Sequence, residues 1–419
     1  MKKKVVFFTL FALVFIGGAF VSADDIWGFF GHRRINRMAV FTLPPEMMTF
    51  FKPNIEYITA HAVDPDKRRY ATKHEAVRHY IDIDVYGEAP FDNLPREWTE
   101  ALMVWTDLLV IDSDGDTTVL FTEKPLKRAA GAKEDDLWYP QIALFDDAPD
   151  VVMHSDFKTF YIANVLSNYY EDDWTCDCDK MSAFFGQVFR DCKKIVVEDH
   201  FSSEGIVPYH LMHMKRRLTK AFENRDTKNI LRNAAEFGHY LGDAHVPLHT
   251  TVNYNGQLTD QVGIHAFWES RIPELFADET YDYFVGKARY IDNPRDYFWD
   301  IVLESHSYLD SVLLIEKRLS QTFPQDQQYC YDDRLGRTIR TECRAYAAAY
   351  QSALNGLQEQ RMQDAIAAVG NIWYTCWIDA GSPNLRSMTL SDKELAAEEE
   401  EKKELEERVN SGEILGRPH

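Results

Sequence analysis

Phe237-Gly-His-Tyr-Leu-Gly-Asp-Ala-His-Val-Pro-Leu-His249 is the stretch from which the rest of the chain is read. His239 and Asp243 stand four residues apart, so on a helix they project from one face, one turn above the other. Ile230, Leu231, Ala234, Ala235 and Leu241 carry a helical period into the pair, and Pro247 stops the helix just after it. Gly238 and Gly242 leave that region almost bare of side chain, which lets another helix or a metal cluster come close. His249 follows the break, where a loop can fold it back toward the pair. His265 and Glu269 then repeat the four-residue spacing. One His-x-x-x-Asp pair is ordinarily a hydrogen-bonded surface pair. Two such pairs with a histidine between them point instead to a site for a hard-to-borderline divalent ion such as zinc.

Outward from this region, Lys2, Lys3 and Lys4 precede an apolar run from Val5 to Val21, which ends in Val21-Ser22-Ala23. The pattern predicts a secretory signal over residues 1–23, cut after Ala23, with an uncleaved anchor as the alternative. The exported protein is then periplasmic or extracellular, and its cysteines become candidates for disulfides. Cys330 and Cys343 could close one loop, and Cys192 could pair with Cys176 or Cys178. Cys176-Asp-Cys178 lacks the spacing of a zinc ribbon. The 45% hydrophobic content of the 419 residues suffices for a sizeable core. A formal net charge of −21 argues against a broad basic face for duplex nucleic acid. It does not exclude a nucleotide substrate, because bound cations would add local positive charge.

Helical spacing recurs over residues 33–43, 46–52, 55–63, 155–170, 181–197, 209–222, 294–323 and 344–377, with neither βαβ alternation nor a repeat. The predicted fold class is all-α, a multi-helix bundle. Residues 85–155 read as an insertion punctuated by prolines, helix-compatible over 101–110 and strand-like over 117–122. Between those stretches Asp112-Ser-Asp-Gly-Asp116 reads as a solvated turn, since the glutamate that would complete a calcium loop is missing. Residues 24–385 form the main domain. Residues 386–419 form a charged tail, helical or partly disordered, opened by a Ser391/Glu394 capping box with Leu390 and Leu395 as a staple. Pairs such as Glu398 with Lys402 support a solvated helix there.

These pieces together resemble the superfamily of bacterial zinc-dependent phospholipases C and single-strand-specific zinc nucleases. The resemblance rests on His239-Tyr-Leu-Gly-Asp243 with Pro247-x-His249, on His265-x-x-x-Glu269, and on Trp27-Gly-x-x-Gly-His32. Asp64 preceding a His79-Tyr-Ile-Asp82 stretch and the closing Trp373 to Trp377 segment add to it. It covers Trp27 to about Pro383. The resemblance implies an all-helical fold with three zinc ions in a cleft. Asp64, His79, His239 and Asp243 would hold one ion, with Asp243 bridging. His249, His265 and Glu269 would hold a second, and His32 with the Trp27 backbone a third. It further implies hydrolysis of a phosphodiester by water activated on the metal ions, with Asp64 orienting or deprotonating that water.

The branches of the superfamily differ in substrate. Gly263-Ile-His265 and Glu269 resemble the phospholipases, whereas the Trp27 to His32 start and Trp268 resemble the nucleases. The Gly-Gly-Asn loop of the nucleases is replaced by Asn253-Tyr-Asn-Gly256. The expectation is therefore a secreted zinc-dependent phosphodiester hydrolase, phospholipase C-like, acting on a phospholipid or other phosphodiester with transient contact to a membrane surface. Alternatives are a single-strand nuclease or nucleotidase of the same fold, or a non-catalytic metal-binding interaction protein; retention of every ligand type argues against the last. Lys67, Arg68 and Arg69 are candidate substrate-binding residues, and a solvated basic patch is the competing reading. His245 is at most a support for the ligands, and His61, His74, His210 and His213 have no slot in the pattern. In the superfamily the mature chain begins at the tryptophan. A cut after Ala23 would leave Asp24, Asp25 and Ile26 ahead of Trp27, so the third site is expected to be weaker, with Asp24, Asp25 or the new terminal amine as substitute ligand.

Overall fold

The computed structural model describes residues 29–121 and 152–412 apart from 92, 172, 187, 188, 190, 335 and 336, together with 137, 138 and 415. The body is built from α1 (Phe29–Ala39), α2 (Val207–Asn224), α3 (Thr227–Ala244), α4 (Pro294–Ser307) and α5 (Leu357–Asp379). Asp226 caps α3 by accepting from the Asn229 amide at 3.0 Å. From Asn233 to Ala244 every residue of α3 is buried, as expected of a helix enclosed on all sides. Its neighbours are α1, α2, α4 and α5.

The α3 glycines act as that burial requires. A Cβ on Gly238 would collide with Asn36 Oδ1, and one on Gly242 would stand 2.9 Å from His32 Nδ1. Bare backbone at both positions lets α1 lie against α3. Asn36 then donates from Nδ2 to the Ala235 carbonyl at 2.8 Å, fixing the register of the two helices. At the far end Arg361 of α5, itself buried, donates to the His245 carbonyl at 3.1 Å, to Ser305 at 2.9 Å and to Glu304 at 2.7 Å. A guanidinium at the carboxyl end of α3 satisfies carbonyl charge that no helical amide can reach.

The all-α expectation is corrected by the sheets. Strands β1 (Thr106–Asp112), β2 (Thr117–Val119), β3 (Thr175–Cys176) and β4 (Cys192–Asp199) form an antiparallel sheet in the order β2-β1-β4-β3. Two further two-stranded pairs join 137–138 to 152–153 and 329–334 to 337–342. The architecture mixes helix and sheet. The helical reading of 101–110 holds only to Trp105, where α-helix gives way to β1; that of 181–197 ends at Phe185, before β4. Short apolar runs satisfy both periods, and tertiary pairing chooses between them. Leu108 pairs with Val197 and Val110 with Ile195, and all four are buried while Leu109 and Val196 between them are half-buried. Asp112 makes the predicted turn, accepting from the Asp114 and Asp116 amides at 2.9 Å each.

The residues 85–155 that are described pack onto the body: Tyr209 donates to the Pro95 carbonyl at 2.6 Å, and its ring meets Trp98. Disulfides join Cys178 to Cys192 and Cys330 to Cys343, while Cys176 and Cys376 are free and buried. Such bridges fit an oxidising compartment. No described helix is long and apolar enough to cross a membrane. The signal segment lies outside the described residues. Helix α6 (Asp392–Ser411) has the predicted capping box, yet it docks instead of projecting. Glu398 accepts from Tyr57 at 2.8 Å and pairs with Lys228 at 2.7 Å, and Arg232 grips Glu401 through two bonds of 2.9 and 2.6 Å.

Candidate metal centre

Seven segments deliver the site. His32 comes from α1, Asp66 from the short helix Asp64–Arg68, and His79 from just beyond the helix Lys73–Ala76. His239 and Asp243 lie on α3, and His249 on the 3-10 turn Pro247–Thr250 that follows it. His265 sits in the turn Ile264–Ala266, and Glu269 in a π-helical segment, Phe267–Arg271, that widens the helix at the site.

Three groups emerge whose donor atoms lie within 4.8 Å of one another and could hold a metal ion: His32, His239 and Asp243; Asp66, His79 and His239; His249, His265 and Glu269. Asp243 joins them. Its Oδ2 lies 3.0 Å from His79 Nδ1 and 3.2 Å from His239 Nε2, while its Oδ1 lies 3.4 Å from His32 Nε2. A carboxylate whose two oxygens face different imidazoles can bridge cations. Glu269 similarly stands 2.8 Å from His265, 3.4 Å from His249 and 3.6 Å from His32.

The far ring nitrogens show how the rings are aimed. His239 Nδ1–H donates to the Ala62 carbonyl at 2.8 Å, His249 Nδ1–H to the His79 carbonyl at 2.7 Å, and His265 Nδ1–H to the Tyr254 carbonyl at 3.1 Å. A carbonyl cannot donate, so each ring carries a proton there and turns its Nε2 to the centre, the arrangement by which metal-binding histidines are oriented. His249 Nε2 and His265 Nε2 are then 3.1 Å apart with Glu269 beside them. Two lone pairs and a carboxylate at that range repel unless a proton or a cation lies among them.

The charge balance agrees. Burial pushes His32 down, but Asp243, Glu269 and Asp66 outweigh it and raise it to about 9. His79 and His249 are also raised, against their burial, by bonds to Asp243 and Glu269 respectively. Burial would raise Asp243 and Glu269, yet the surrounding imidazoles hold both well below the usual carboxylate range. Burial lowers His239, helped by the neighbouring His32. The centre therefore stabilises positive charge, whether as protons or as metal.

Of the residues singled out from the sequence, His32, His79, His239, Asp243, His249, His265 and Glu269 converge here. Trp27, Asp24 and Asp25 lie outside the described residues. Asp64 does not face the centre. It bonds His61 Nδ1 at 2.5 Å and Lys67 at 3.2 Å, and Asp66 takes the inward place, 3.6 Å from His239 and 3.7 Å from His79. Two carboxylates in Asp64-Pro-Asp66 point to different sides of one helical turn, and only tertiary packing selects between them.

The basic run is committed elsewhere. Lys67 pairs with Asp64, and Arg69 is buried. Arg68 bonds Glu236 at 2.7 Å, Tyr240 at 3.3 Å and Glu75 at 3.4 Å. Glu75 accepts from Tyr240 and from Arg78, and its Oε1 lies 3.7 Å from His79 Nε2. This network supports His79 from behind, and nothing in the one-dimensional pattern signals it beyond the presence of the charges. His245 donates from Nδ1 to the Leu241 carbonyl at 2.7 Å, and burial, then the charge of Arg361, lowers it to about 3. A further trio, Asp107, Glu198 and His200, is solvent-facing on the sheet. No protein-family model and no curated protein matches the chain.

Proposed function

We propose that the protein is an exported, zinc-dependent phosphodiester hydrolase, phospholipase C-like in its chemistry. The observation that carries the reading is the 3.1 Å approach of His249 Nε2 and His265 Nε2 beside Glu269, with both opposite nitrogens tied to carbonyls. Nitrogen and carboxylate donors in small clusters suit zinc better than calcium or magnesium, which prefer oxygen alone. His249, His265 and Glu269 would hold one ion, Asp66, His79, His239 and Asp243 another, and His32 with Asp243 would contribute to a third. Zinc bound there would supply Lewis-acid polarisation of phosphoryl oxygens and a lowered pKa for water.

The chain's own residues orient and exclude. The carbonyls of Ala62, His79 and Tyr254 fix three ring planes, Glu75 backs His79, and His79, His239, Asp243 and His249 are themselves buried. Asp66, Asp243 and Glu269 are the carboxylates at the centre that could take a proton from an attacking water. An open groove lined by Lys73, Val77, Tyr80, Asp82, Val252 and Tyr254 offers mixed apolar and polar walls for a headgroup. The Tyr254 ring, 6.2 Å from that of His265, favours a second reading in which a base stacks there and the substrate is a single-stranded nucleic acid or nucleotide. Zinc-loaded protein assayed side by side on phosphatidylcholine and single-stranded DNA tests both. Phosphocholine release that stops with a chelator supports the first; nucleotide release without lipid turnover supports the second. Hydrolysis of neither, or full activity in chelator, refutes the proposal.

A further inference from the structure

A second pocket lies behind the metal centre, on the far side of the Arg78–Glu75 pair. Its cavity volume is about 120 Å³, and its mouth opens to solvent. Four arginines line it: Arg78, Arg96 from the segment ahead of helix Trp98–Trp105, Arg216 from α2 and Arg295 from the first turn of α4. Among the described residues its one carboxylate is Glu97, already held by Lys158 at 3.1 Å and by the Glu100 amide at 3.0 Å. Arg78 bonds Glu75 at 2.8 Å, and Arg96 approaches Asp296 only to 3.8 Å. Arg216 and Arg295 make no ion pair among the described residues. On a chain with 67 acidic and 46 basic residues, such a cationic pocket runs against the overall charge. His213 on its wall registers that field: burial first, then Arg217, Arg216 and Arg78, lower it to about 4.

The rest of the lining is aromatic. Trp98 and Tyr209 form the inner wall, and Tyr170 stands at the rim, 66% exposed. Guanidinium forks arriving from separate elements suit an anion with several oxygens, which phosphate supplies and a single carboxylate does not. An exposed tyrosine beside them offers a face for a planar ring.

We propose that this pocket binds a small organic phosphate that carries a planar ring, at a site separate from the metal centre. Calorimetric titration of the full chain tests it with three probes: a nucleoside 5′-monophosphate, the same nucleoside without phosphate, and inorganic phosphate. The monophosphate should bind saturably in the His249→Ala variant, which disables the metal centre, and at least tenfold more tightly than either other probe. Arg216→Glu with Arg295→Glu, both on exposed side chains, should weaken it tenfold or more while leaving hydrolysis at the metal centre unchanged. Tyr170→Ala should weaken the monophosphate and not inorganic phosphate. The proposal is overturned if His249→Ala shows no saturable binding while folded by circular dichroism, or if the double charge reversal leaves binding unaltered. Equal affinity for phosphate and monophosphate would remove the ring from the assignment. The binding outcomes are independent of whether the metal centre hydrolyses phosphodiesters.

Discussion

Replacing Gly238 with alanine sets local preference against tertiary packing. In an isolated helix the change favours α3 by about 1 kcal/mol. In the folded chain the new Cβ would collide with Asn36 Oδ1. Asn36 is wholly buried, and its Nδ2 is spent on the Ala235 carbonyl at 2.8 Å, so the side chain cannot swing aside without breaking that bond. Overpacking of this kind costs roughly 1–3 kcal/mol. Loss of the buried bond adds about 1–3 kcal/mol more. Set against the helical gain, the net expectation is a loss of about 1–5 kcal/mol. Backing α1 away from α3 would also withdraw His32 from Asp243 and Glu269, so metal content should fall with stability. Urea denaturation gives the first quantity, and metal analysis of the folded protein the second. Adding Asn36→Ala makes room at the cost of one hydrogen bond, so the double variant should be more stable than the two single losses added together predict. A Gly238→Ala protein as stable as the parent, with its metal content intact, would refute the account of why α1 and α3 meet as they do.

His249→Ala should reduce bound metal and hydrolysis together, and a strong chelator should lower the unfolding temperature of the parent far more than that of the variant; equal sensitivity in both would detach His249 from the centre. Glu100 is lowered to about 2 against its burial by His154 and Lys158, so it contributes stability above pH 4.5 that is lost as pH falls toward 2. Glu100→Gln should therefore cost about 1–2 kcal/mol at pH 6, after allowance for solvent screening, and almost nothing near pH 2, as read by denaturation at the two values. The Cys178–Cys192 bridge has a sequence separation of 14, and replacing both cysteines with alanine should cost about 3 kcal/mol. Glu401→Ala breaks the fork to Arg232 on a partly exposed surface and should cost no more than about 1 kcal/mol, while protease cleavage within α6 should become faster.

Much of the candidate metal centre is legible in the sequence because its candidate ligands are placed by local geometry. The four-residue pairs His239/Asp243 and His265/Glu269 need only a helical turn to align them, and Pro247 marks where His249 leaves the helix. Gly238 and Gly242 announce a close approach, though not its partner; that α1 is the partner follows from packing. Where the local signal is degenerate, the tertiary structure decided. The resemblance singles out Asp64, but its bonds to His61 and Lys67 leave Asp66 as the carboxylate that faces the centre. Ala101 to Val110 fits a helix or a strand, and pairing with β4 settles its second half as strand. Lys67, Arg68 and Arg69 read as substrate-binding residues or as a solvated patch until Glu236, Glu75 and Tyr240 are brought around Arg68 from other segments. A charge's partner is a matter of distance across the fold, and no one-dimensional spacing encodes it.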